Sequence, residues 1–358
     1  MAQKGFLFNL NKCVGCHACV VACTIENQTL PQTKWREINS FNPSGFPDIP
    51  LFHFSLACNH CDDPPCMNNC PALAYSKDFT TGTVLHFANK CIGCKYCTWA
   101  CPYDAPKFNE KTKIIEKCTF CNHRIEDGLK PACANLCPTG ALDVIDKPEI
   151  FDHQNIPGFT DADIKPSIKI IKISDTKPKL ITSENQQYIG KYPAPKSPSK
   201  IRMMQEWPLA VFTLLTALLV STFAATVFSY LAPEPYSFVF IGLAGILLSL
   251  MHLGKKLRAW RAVLNLKKSW LSREIFFFGL FWVLSSAYLL VNQHTVIAWG
   301  AMACGLVALI SVDKVYKLAI QPTPIELHSA HVVLTFFLFA SMFFESYPAL
   351  IFIALIKA

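Results

Sequence analysis

The chain has 358 residues, enough for two domains, and seventeen of them are cysteines. Its formal net charge of +8 does not indicate a nucleic-acid-binding protein, because the surplus of basic residues is concentrated beside long apolar runs, where such residues usually report membrane topology. Residues 1–200 are polar, cysteine-rich and interrupted by proline, whereas residues 206–358 form nearly continuous apolar runs. The composition therefore predicts a cysteine-rich domain followed by a membrane domain.

Sixteen of the seventeen cysteines lie within the first 137 residues, in four groups of four. The first and third groups have the spacing C-x2-C-x2-C-x3-C, the second has a two-residue insertion, and the fourth is looser. In chain order the groups are Cys13, Cys16, Cys19 and Cys23; Cys58, Cys61, Cys66 and Cys70; Cys91, Cys94, Cys97 and Cys101; Cys118, Cys121, Cys133 and Cys137. Gaps of two residues let a short turn place soft thiolates around one cube of iron and sulfide, so the spacing predicts [4Fe–4S] clusters.

Other uses of cysteine fit the pattern less well. A disulfide framework is typical of small secreted proteins, and residues 1–13 contain neither an apolar signal core nor a twin-arginine pair. We therefore expect the clusters to be built and kept in a reducing compartment. Structural zinc sites usually consist of two separated C-x2-C pairs rather than four dense groups. A non-redox membrane scaffold whose cysteines hold zinc is the alternative from another functional class.

The cysteine-rich half predicts a small α+β, ferredoxin-like domain over residues 1–145, with short strands at 83–87 and 113–115. Such a domain has little core, so metal–thiolate bonds should supply much of its folding free energy. Residues 146–205 form an extended segment and linker, with an isoleucine-rich stretch at 168–173. We interpret its proline-rich part, GKYPAPKSPSK at 190–200, as an extended, semi-rigid tether; in the alternative it packs along the cluster domain and fixes it against the membrane part.

Residues 206–358 predict an all-α transmembrane bundle of five to six helices. Apolar runs that suit membrane spans lie at 207–231, 236–254, 275–291, 296–312 and 327–344, and a shorter run lies at 348–356. Basic residues precede the first span and crowd the loop at 255–273, whereas the loops at 232–235 and 292–295 contain neither lysine nor arginine. The positive-inside rule therefore places the cluster domain and this basic loop on the cytoplasmic face of a bacterial inner membrane.

Two ionisable residues lie at predicted helix ends beside the basic loop: His252 ends the second span and Glu274 opens the third. An imidazole can hydrogen-bond a quinol hydroxyl and a carboxylate can accept its proton, so the pair predicts a site of quinol oxidation. In the alternative, Glu274 complements the dipole of a helix capped by Ser272, and His252 marks the membrane interface. A further alternative is a haem held by His252 with His328 or His331.

These motifs resemble a known family. The first half is similar to the iron–sulfur subunit of dimethyl sulfoxide reductase-type molybdoenzymes, through NKCVGCHAC, CNHCDDPPCMNNCP, CIGCKYCTWACPYDAP and PACANLCPTGALD. The second half resembles the membrane anchor of the same enzymes, through EWPLAVFT at 206–213 and HLGKKLRAWRAVLNLKKSWLSREI at 252–275. The chain thus looks like a fusion of two subunits that are often separate. Family anchors resemble eight-helix bundles, which are longer than the anchor predicted here.

The resemblance implies a cross-wired ligation of four [4Fe–4S] clusters. The implied sets are Cys13, Cys16 and Cys19 with Cys137; Cys118, Cys121 and Cys133 with Cys23; Cys58, Cys61 and Cys66 with Cys101; Cys91, Cys94 and Cys97 with Cys70. In nitrate reductase-like relatives, a tryptophan at the position of Cys94 gives a [3Fe–4S] cluster. Because a cysteine stands there in this chain, all four clusters are expected to be of the [4Fe–4S] type.

The resemblance also implies an anchor that uses no haem and oxidises menaquinol, with His252 and Glu274 at the site. We expect Arg258, Ser272 and Arg273 at the rim of the quinol pocket. On this interpretation the protein is the electron-transfer and anchor subunit of a respiratory oxidoreductase, and it passes electrons to a separate molybdopterin-containing catalytic subunit. The same relay run in reverse, reducing quinone with electrons from a substrate such as sulfite, is the alternative.

Overall fold

The computed structural model of the chain describes residues 3–30, 32–41, 51–146, 156, 159–160, 162–173, 203–291, 293–317, 332–344, 348–349 and 353–354. The chain divides into two compact units. The first consists of Met1–Asn68, Ala74–Asn89 and Lys95–Lys200, and the second of Asn69–Leu73, Lys90–Cys94 and Ile201–Ala358. The second unit thus includes two short cysteine-bearing segments that the predicted domains 1–145, 146–205 and 206–358 do not set apart.

The described strands of the first unit form four small sheets. In the three-stranded sheet, β1 (Lys4–Asn9) lies between β8 (Leu142–Asp146), which is antiparallel to it, and β9 (Ile168–Ile171), which is parallel. The other sheets are antiparallel pairs: β2 (Glu37–Phe41) with β3 (Phe52–Leu56), β4 (Tyr75–Lys77) with β5 (Val84–His86), and β6 (Lys107–Asn109) with β7 (Ile114–Glu116). The strands predicted at 83–87 and 113–115 correspond to β5 and β7.

The isoleucine-rich stretch is part of the first unit's main sheet. Ile168 pairs with Phe6, and Ile170 pairs with Phe8. Both isoleucines are buried, and the residue that follows each is exposed, which is the alternation of a half-buried strand. This stretch therefore packs as a strand of the first unit. The proline-rich part at 190–200 lies outside the described residues, so its role as a tether stays a prediction.

Short helices follow the cysteine turns of the first unit. They are α1 (Ala18–Glu26), α2 (Pro65–Asn68), α3 (Tyr96–Ala100), α4 (Asn122–Glu126) and α5 (Ala132–Asn135). The residue before α1, α3 and α4 has a left-handed backbone, with φ of 62° at His17, 59° at Lys95 and 47° at Cys121. A left-handed residue bends the chain sharply, so each of these helices starts from a tight turn that carries cysteines.

An aromatic core packs against the three-stranded sheet. The ring centroids of Phe6 and Phe120 lie 4.5 Å apart, and those of Phe8 and Phe54 lie 5.2 Å apart, both in the edge-on geometry that aromatic pairs favour. All four side chains are buried. Buried cysteines belong to the same core. The first unit therefore has more conventional core than its sequence predicts.

The described part of the second unit is mostly helical. Its helices are α6 (Met203–Val227), α7 (Pro235–Met251), a 3-10 helix (Lys256–Val263), α8 (Trp270–Leu290), α9 (Thr295–Lys317) and α10 (Val332–Phe343). The backbone of α6 is kinked at Glu206, two residues before Pro208, because proline has no N–H to donate and crowds the preceding turn. α8 packs mainly against α9, and α6 packs against α7 and α10.

Three of the described helices are long and apolar enough to cross a membrane. They are Glu206–Val227, Trp270–Leu290 and Thr295–Lys317. α7 and the 3-10 helix pass the same test together but are bent by 106°, so they form at most one broken span. Residues 318–331, which include His328 and His331, and most of the run at 348–356 lie outside the described residues. Five crossings therefore stay a prediction.

Candidate metal centres and a membrane cavity

Four cysteines of the first unit line one small cavity. They are Cys58, Cys61, Cys66 and Cys101. All four are buried, and they come from the turn after β3, from α2 and from the end of α3. These are the four residues that the family resemblance assigns to one cluster, so the fold brings that set together around a single volume.

A second set of thiols surrounds Asn27, just after α1. The Asn27 side-chain amide donates to the Cys23 sulfur at 3.8 Å and to the Cys121 sulfur at 3.7 Å. Cys118 lies close to Cys23 and Cys133, near enough for the charge on one thiolate to act on the others. Cys23, which is remote in sequence, therefore lies beside three of the four cysteines of the fourth group.

A third set lies at the surface of the first unit. Cys13 has Cys16, Cys19 and Cys137 as its near thiol neighbours. Cys16 is exposed, Cys13 and Cys137 are half-buried, and Cys19 is buried. Of the three sets in this unit, this one is therefore the most accessible from solvent.

The last implied set is divided between the two units. Cys70, Cys91 and Cys94 belong to the second unit and Cys97 to the first, so their joint ligation is a prediction from the sequence. The backbone N–H of Gly93 donates to the Cys91 sulfur at 3.4 Å. Such N–H···S bonds stabilise thiolate ligands and tune the metal centre they hold.

The chemistry of these cysteines suits iron–sulfur clusters. No disulfide bond joins any of the seventeen cysteines, all of which lie among the described residues. Among the described residues, no three His, Cys, Asp or Glu side chains converge closely enough to hold a single metal ion; the thiols of the first set instead surround a volume. Burial raises the pKa of the Cys23 thiol to about 12, although Arg36 nearby opposes the shift. A thiolate at this depth therefore calls for the positive charge of bound iron.

In the second unit, the segment at 254–269 holds the cysteine-bearing segment Lys90–Cys94. The backbone N–H of Lys255 donates to the carbonyl of Ile92 at 3.0 Å. The Arg258 guanidinium donates to the carbonyl of Cys91 at 3.1 Å. These bonds fix the backbone beside two predicted cluster ligands.

The same segment holds Asn69–Leu73. The Asn265 side-chain amide donates to the carbonyl of Cys70, and the Ser269 hydroxyl donates to the carbonyl of Asn69, both at 2.9 Å. Both donors are buried. No sequence motif predicts either contact, because an Asn and a Ser in a polar loop are too common to carry a signal.

A cavity of about 210 Å³ lies within the second unit. Its wall is mostly apolar and includes Ile92, Cys94, Phe212, His252, Ile275 and Phe278. His252 stands at the carboxyl end of α7 as its C-cap residue, and Cys94 is a predicted cluster ligand. One cavity therefore contains both a predicted quinol-site residue and a predicted metal ligand.

Glu274 is not among the residues that line this cavity. Helix α8 begins at Trp270, with Ser269 as its N-cap accepting the Ser272 N–H at 3.4 Å. Glu274 therefore lies in the second turn, is only 2 % exposed, and lies near Tyr316 of α9. Ser272 does not cap the helix, so the interpretation of Glu274 as a first-turn partner of the helix dipole is corrected.

The three residues expected at the pocket rim lie elsewhere. Arg258 donates to the cysteine-bearing loop, as described above. The Ser272 hydroxyl donates to the carbonyl of Ala262 at 2.7 Å, and the Arg273 guanidinium donates to the carbonyl of Leu266 at 2.8 Å. None of the three lines the cavity. Arg258 braces the cysteine-bearing segment, and Ser272 and Arg273 brace the segment between α7 and α8.

Sequence reasoning missed two buried cations of the first unit, Arg36 and Lys117. Each is 2 % exposed. Lys117 directly precedes Cys118, which is the one sequence signal that points to it. Arg36 has no cysteine beside it in the sequence and is placed only by the fold.

Comparison with known protein families matches both halves of the chain. Residues 49–147 match the 4Fe-4S dicluster domain. Residues 202–354 match the DMSO reductase anchor subunit (DmsC). The iron–sulfur and anchor assignments therefore come from separate, non-overlapping parts of one polypeptide.

Individual relatives match the first half. The chain is 43% identical to a tetrathionate reductase subunit of Salmonella typhimurium, over 39% of this chain and 56% of the relative. It is 38% identical to a sulfite dehydrogenase subunit of Allochromatium vinosum, over 39% of this chain and 68% of the relative. It is 36% identical to a subunit of the anaerobic dimethyl sulfoxide reductase of Escherichia coli, over 39% of this chain and 72% of the relative. The chain therefore belongs to the family of iron–sulfur subunits of dimethyl sulfoxide reductase-type oxidoreductases, joined here to the anchor subunit of the same enzymes.

Proposed function

We propose that this protein oxidises menaquinol at the cavity beside His252 and relays the electrons through four [4Fe–4S] clusters to a separate molybdopterin-containing catalytic subunit. The single observation that supports this best is that Cys94 and His252 lie on the wall of one cavity. Electron transfer from quinol needs the head group close to the first electron acceptor. A quinol in this cavity would meet that requirement.

His252 is the residue that we propose to receive the quinol. Oxidation of one quinol releases two electrons and two protons, and an imidazole can accept a hydroxyl proton at neutral pH. Phe212, Ile275 and Phe278 give the wall the apolar character that suits a quinone ring. Glu274 lies one turn before Phe278 on α8, and we propose that it carries the proton onward behind the wall.

The sixteen clustered cysteines would hold the four clusters, each of which accepts and releases one electron. The chain's contribution is to position them and to set their surroundings. We propose that electrons enter at the set containing Cys91 and Cys70 and leave at the set containing Cys13 and Cys137. The three sets of the first unit follow one another as neighbours, since Cys118 lies near Cys58 and Cys133 lies near Cys19.

The exit lies at the accessible set. Cys16 is exposed, and large apolar side chains of its turn and of α1 are exposed as well: Val14 by 62 %, Val21 by 55 % and Ile25 by 73 %. An apolar surface beside the accessible end of an electron relay fits a permanent protein partner. We propose that the catalytic subunit docks here.

A charge placed on this surface should release the catalytic subunit. We expect Val21→Glu combined with Ile25→Glu to abolish co-purification of the partner, because both side chains lie exposed on α1. Iron content and reduction of the clusters by quinol should remain normal. Phe79→Glu, which alters an apolar side chain that is 80 % exposed after β4, is the matched control. Retention of the partner by the double variant would contradict the docking surface.

We propose that the anchor lies in the inner membrane of a bacterium, with the cluster domain on the cytoplasmic face. Lys255, Lys256, Lys267 and Lys268 all belong to the segment between α7 and α8. The described residues between α6 and α7, and those between α8 and α9, contain no lysine or arginine. This asymmetry follows the positive-inside rule.

Anaerobic reduction of the purified protein by a soluble menaquinol analogue tests the function as a whole. We expect about sixteen irons per chain, as four cubes of four require, and bleaching of the visible absorption when the quinol is added. Clusters that dithionite reduces fully but that the quinol does not reduce would contradict quinol oxidation. A colourless preparation loaded with zinc would instead support the scaffold alternative.

The opposite direction of flow, in which the relay reduces quinone, is favoured by one relative, the sulfite dehydrogenase subunit. The direction depends on cluster potentials, which hydrogen bonds and exposure set. Potentiometric titration separates the two cases. Potentials well above the menaquinone couple make quinol oxidation downhill, and potentials well below it favour quinone reduction.

A further inference from the structure

The first unit contains two buried cations, Arg36 and Lys117. Neither Arg36 nor Lys117 forms a salt bridge with a carboxylate among the described residues. A charge removed from water is costly unless an opposite charge or several hydrogen bonds compensate it. Hydrogen bonds compensate these charges in part, and negative charge of another kind close by would stabilise both further.

Lys117 touches two of the thiol sets. Its ammonium donates to the carbonyl of Cys118 at 2.8 Å and to the carbonyl of Val84, and it lies 3.6 Å from the Cys58 sulfur. Cys58 belongs to the set around the small cavity, and Cys118 belongs to the set beside Asn27. The ammonium therefore lies where these two sets meet.

Arg36 lies in the corresponding place between the set beside Asn27 and the surface set. Its Nη1 donates to the Ser55 carbonyl at 3.3 Å and to the Ser55 hydroxyl at 3.1 Å, and that hydroxyl lies 3.3 Å from the Cys19 sulfur. The guanidinium carbon lies 4.7 Å from the centre of the Phe6 ring. Nε and Nη2 are buried and have no hydrogen-bond partner in the described part of the chain.

The thiols near Arg36 belong to two sets. Cys19 is in the surface set, whereas Cys118 and Cys133 are in the set beside Asn27, and all three act electrostatically on the guanidinium. Lys117 thus lies between the cavity set and the set beside Asn27, and Arg36 lies between the set beside Asn27 and the surface set. Arg36 and Lys117 cannot leave these positions without opening the core.

We propose that Arg36 and Lys117 raise the reduction potentials of the clusters on either side of them. The potentials of successive clusters would thereby stay close to one another. When a cluster accepts an electron, no bond forms or breaks, and its charge becomes one unit more negative. A cation fixed beside the ligands of a cluster stabilises that reduced form more than the oxidised one. Lys117 lies directly beside a ligand sulfur, and Arg36 acts on the neighbouring thiols at longer range. The inference rests on the proposed cluster assignment but not on the proposed oxidation of quinol.

Redox titration of the full chain with dithionite, read by EPR, tests the proposal without any quinol. In Lys117→Met we expect two clusters to become harder to reduce. At a fixed potential, the ratio of reduced to oxidised cluster should fall at least about tenfold for each, and a tenfold change corresponds to about 59 mV for a one-electron couple. Arg36→Met should shift two clusters by a similar factor, one of them shared with Lys117→Met. Lys117→Arg and Arg36→Lys keep the charge and should stay within about threefold of the unmodified protein.

Lys113→Met is the matched control, because the Lys113 side chain is 52 % exposed and pairs with Glu110, so solvent screens its charge. Unchanged potentials in both methionine variants, at normal iron content, would overturn the proposal.

A second measurement needs no substitution. It tests whether the Lys117 ammonium lies beside a cluster, even if the methionine variants lose iron. In unmodified protein labelled with ¹⁵N at the lysine side-chain nitrogen, electron spin echo modulation should show a weak nitrogen coupling to a reduced cluster, since the ammonium lies 3.6 Å from the Cys58 sulfur. Absence of that coupling would remove Lys117 from the proposal. Failure of quinol to reduce the clusters would leave both measurements unaffected, so the two proposals fail separately.

Discussion

His252→Ala is expected to slow quinol-driven cluster reduction on the order of a hundredfold, the usual contribution of a positioned acid or base. The reason is that His252 lies on the wall of the 210 Å³ cavity and is the proposed acceptor of the quinol proton. Iron content should stay normal, because His252 is not a predicted ligand. Stopped-flow absorption with a menaquinol analogue measures the rate, and dithionite measures the full extent of reduction.

His294→Ala is the matched control for that experiment. His294 is exposed and lies just before α9, so its loss should leave the rate within about twofold of normal, as for an ordinary surface substitution. A normal rate in His252→Ala would remove His252 from the mechanism. A rate lost together with iron would show instead that His252 acts by supporting the cluster loop.

Cys94→Trp is expected to convert one cluster from the [4Fe–4S] to the [3Fe–4S] form. A cube that loses one of its four thiolates loses the iron bound to it, so iron should fall from about sixteen to about fifteen per chain. A [3Fe–4S] signal should then appear in the EPR spectrum of the oxidised protein. The larger side chain also intrudes on the cavity, so the spectrum is recorded without quinol.

Cys304→Ser controls for the loss of a thiol. Cys304 lies in α9, away from the four groups in sequence, and is half-buried, so its replacement should change neither iron content nor spectrum. An oxidised spectrum of Cys94→Trp identical to that of the unmodified protein would contradict the assigned ligation.

The sequence predicts the cysteine chemistry well because ligand spacing is a local property. A turn of two residues between thiols suits a cube wherever it occurs, and the fold then gathers Cys58, Cys61, Cys66 and Cys101 around one cavity. The same holds for His252, whose place at the end of an apolar run predicts a position at a membrane helix end. Strand β9 could be predicted only in part, since its alternation is visible in the sequence but its parallel partner is not.

The surroundings of the sites could not be predicted, because they depend on contacts between distant residues. Glu274 does not line the cavity, because the fold buries it in the second turn of α8 near Tyr316 of α9. Arg36 is an ordinary charged residue in the sequence, yet the fold buries its guanidinium among thiols. Such placements follow from packing, and no local pattern encodes them.

The hydrogen bonds from Asn265 and Ser269 to the backbone at Asn69 and Cys70 have a consequence for how the protein can be divided. A fragment that ends at residue 200 would keep all sixteen clustered cysteines yet would lose the donors that satisfy those carbonyls. Where relay and anchor are separate polypeptides, assembly must supply such donors from another chain. In this protein the anchor and the relay are one polypeptide, so the donors to these carbonyls are always present in a one-to-one ratio with the relay.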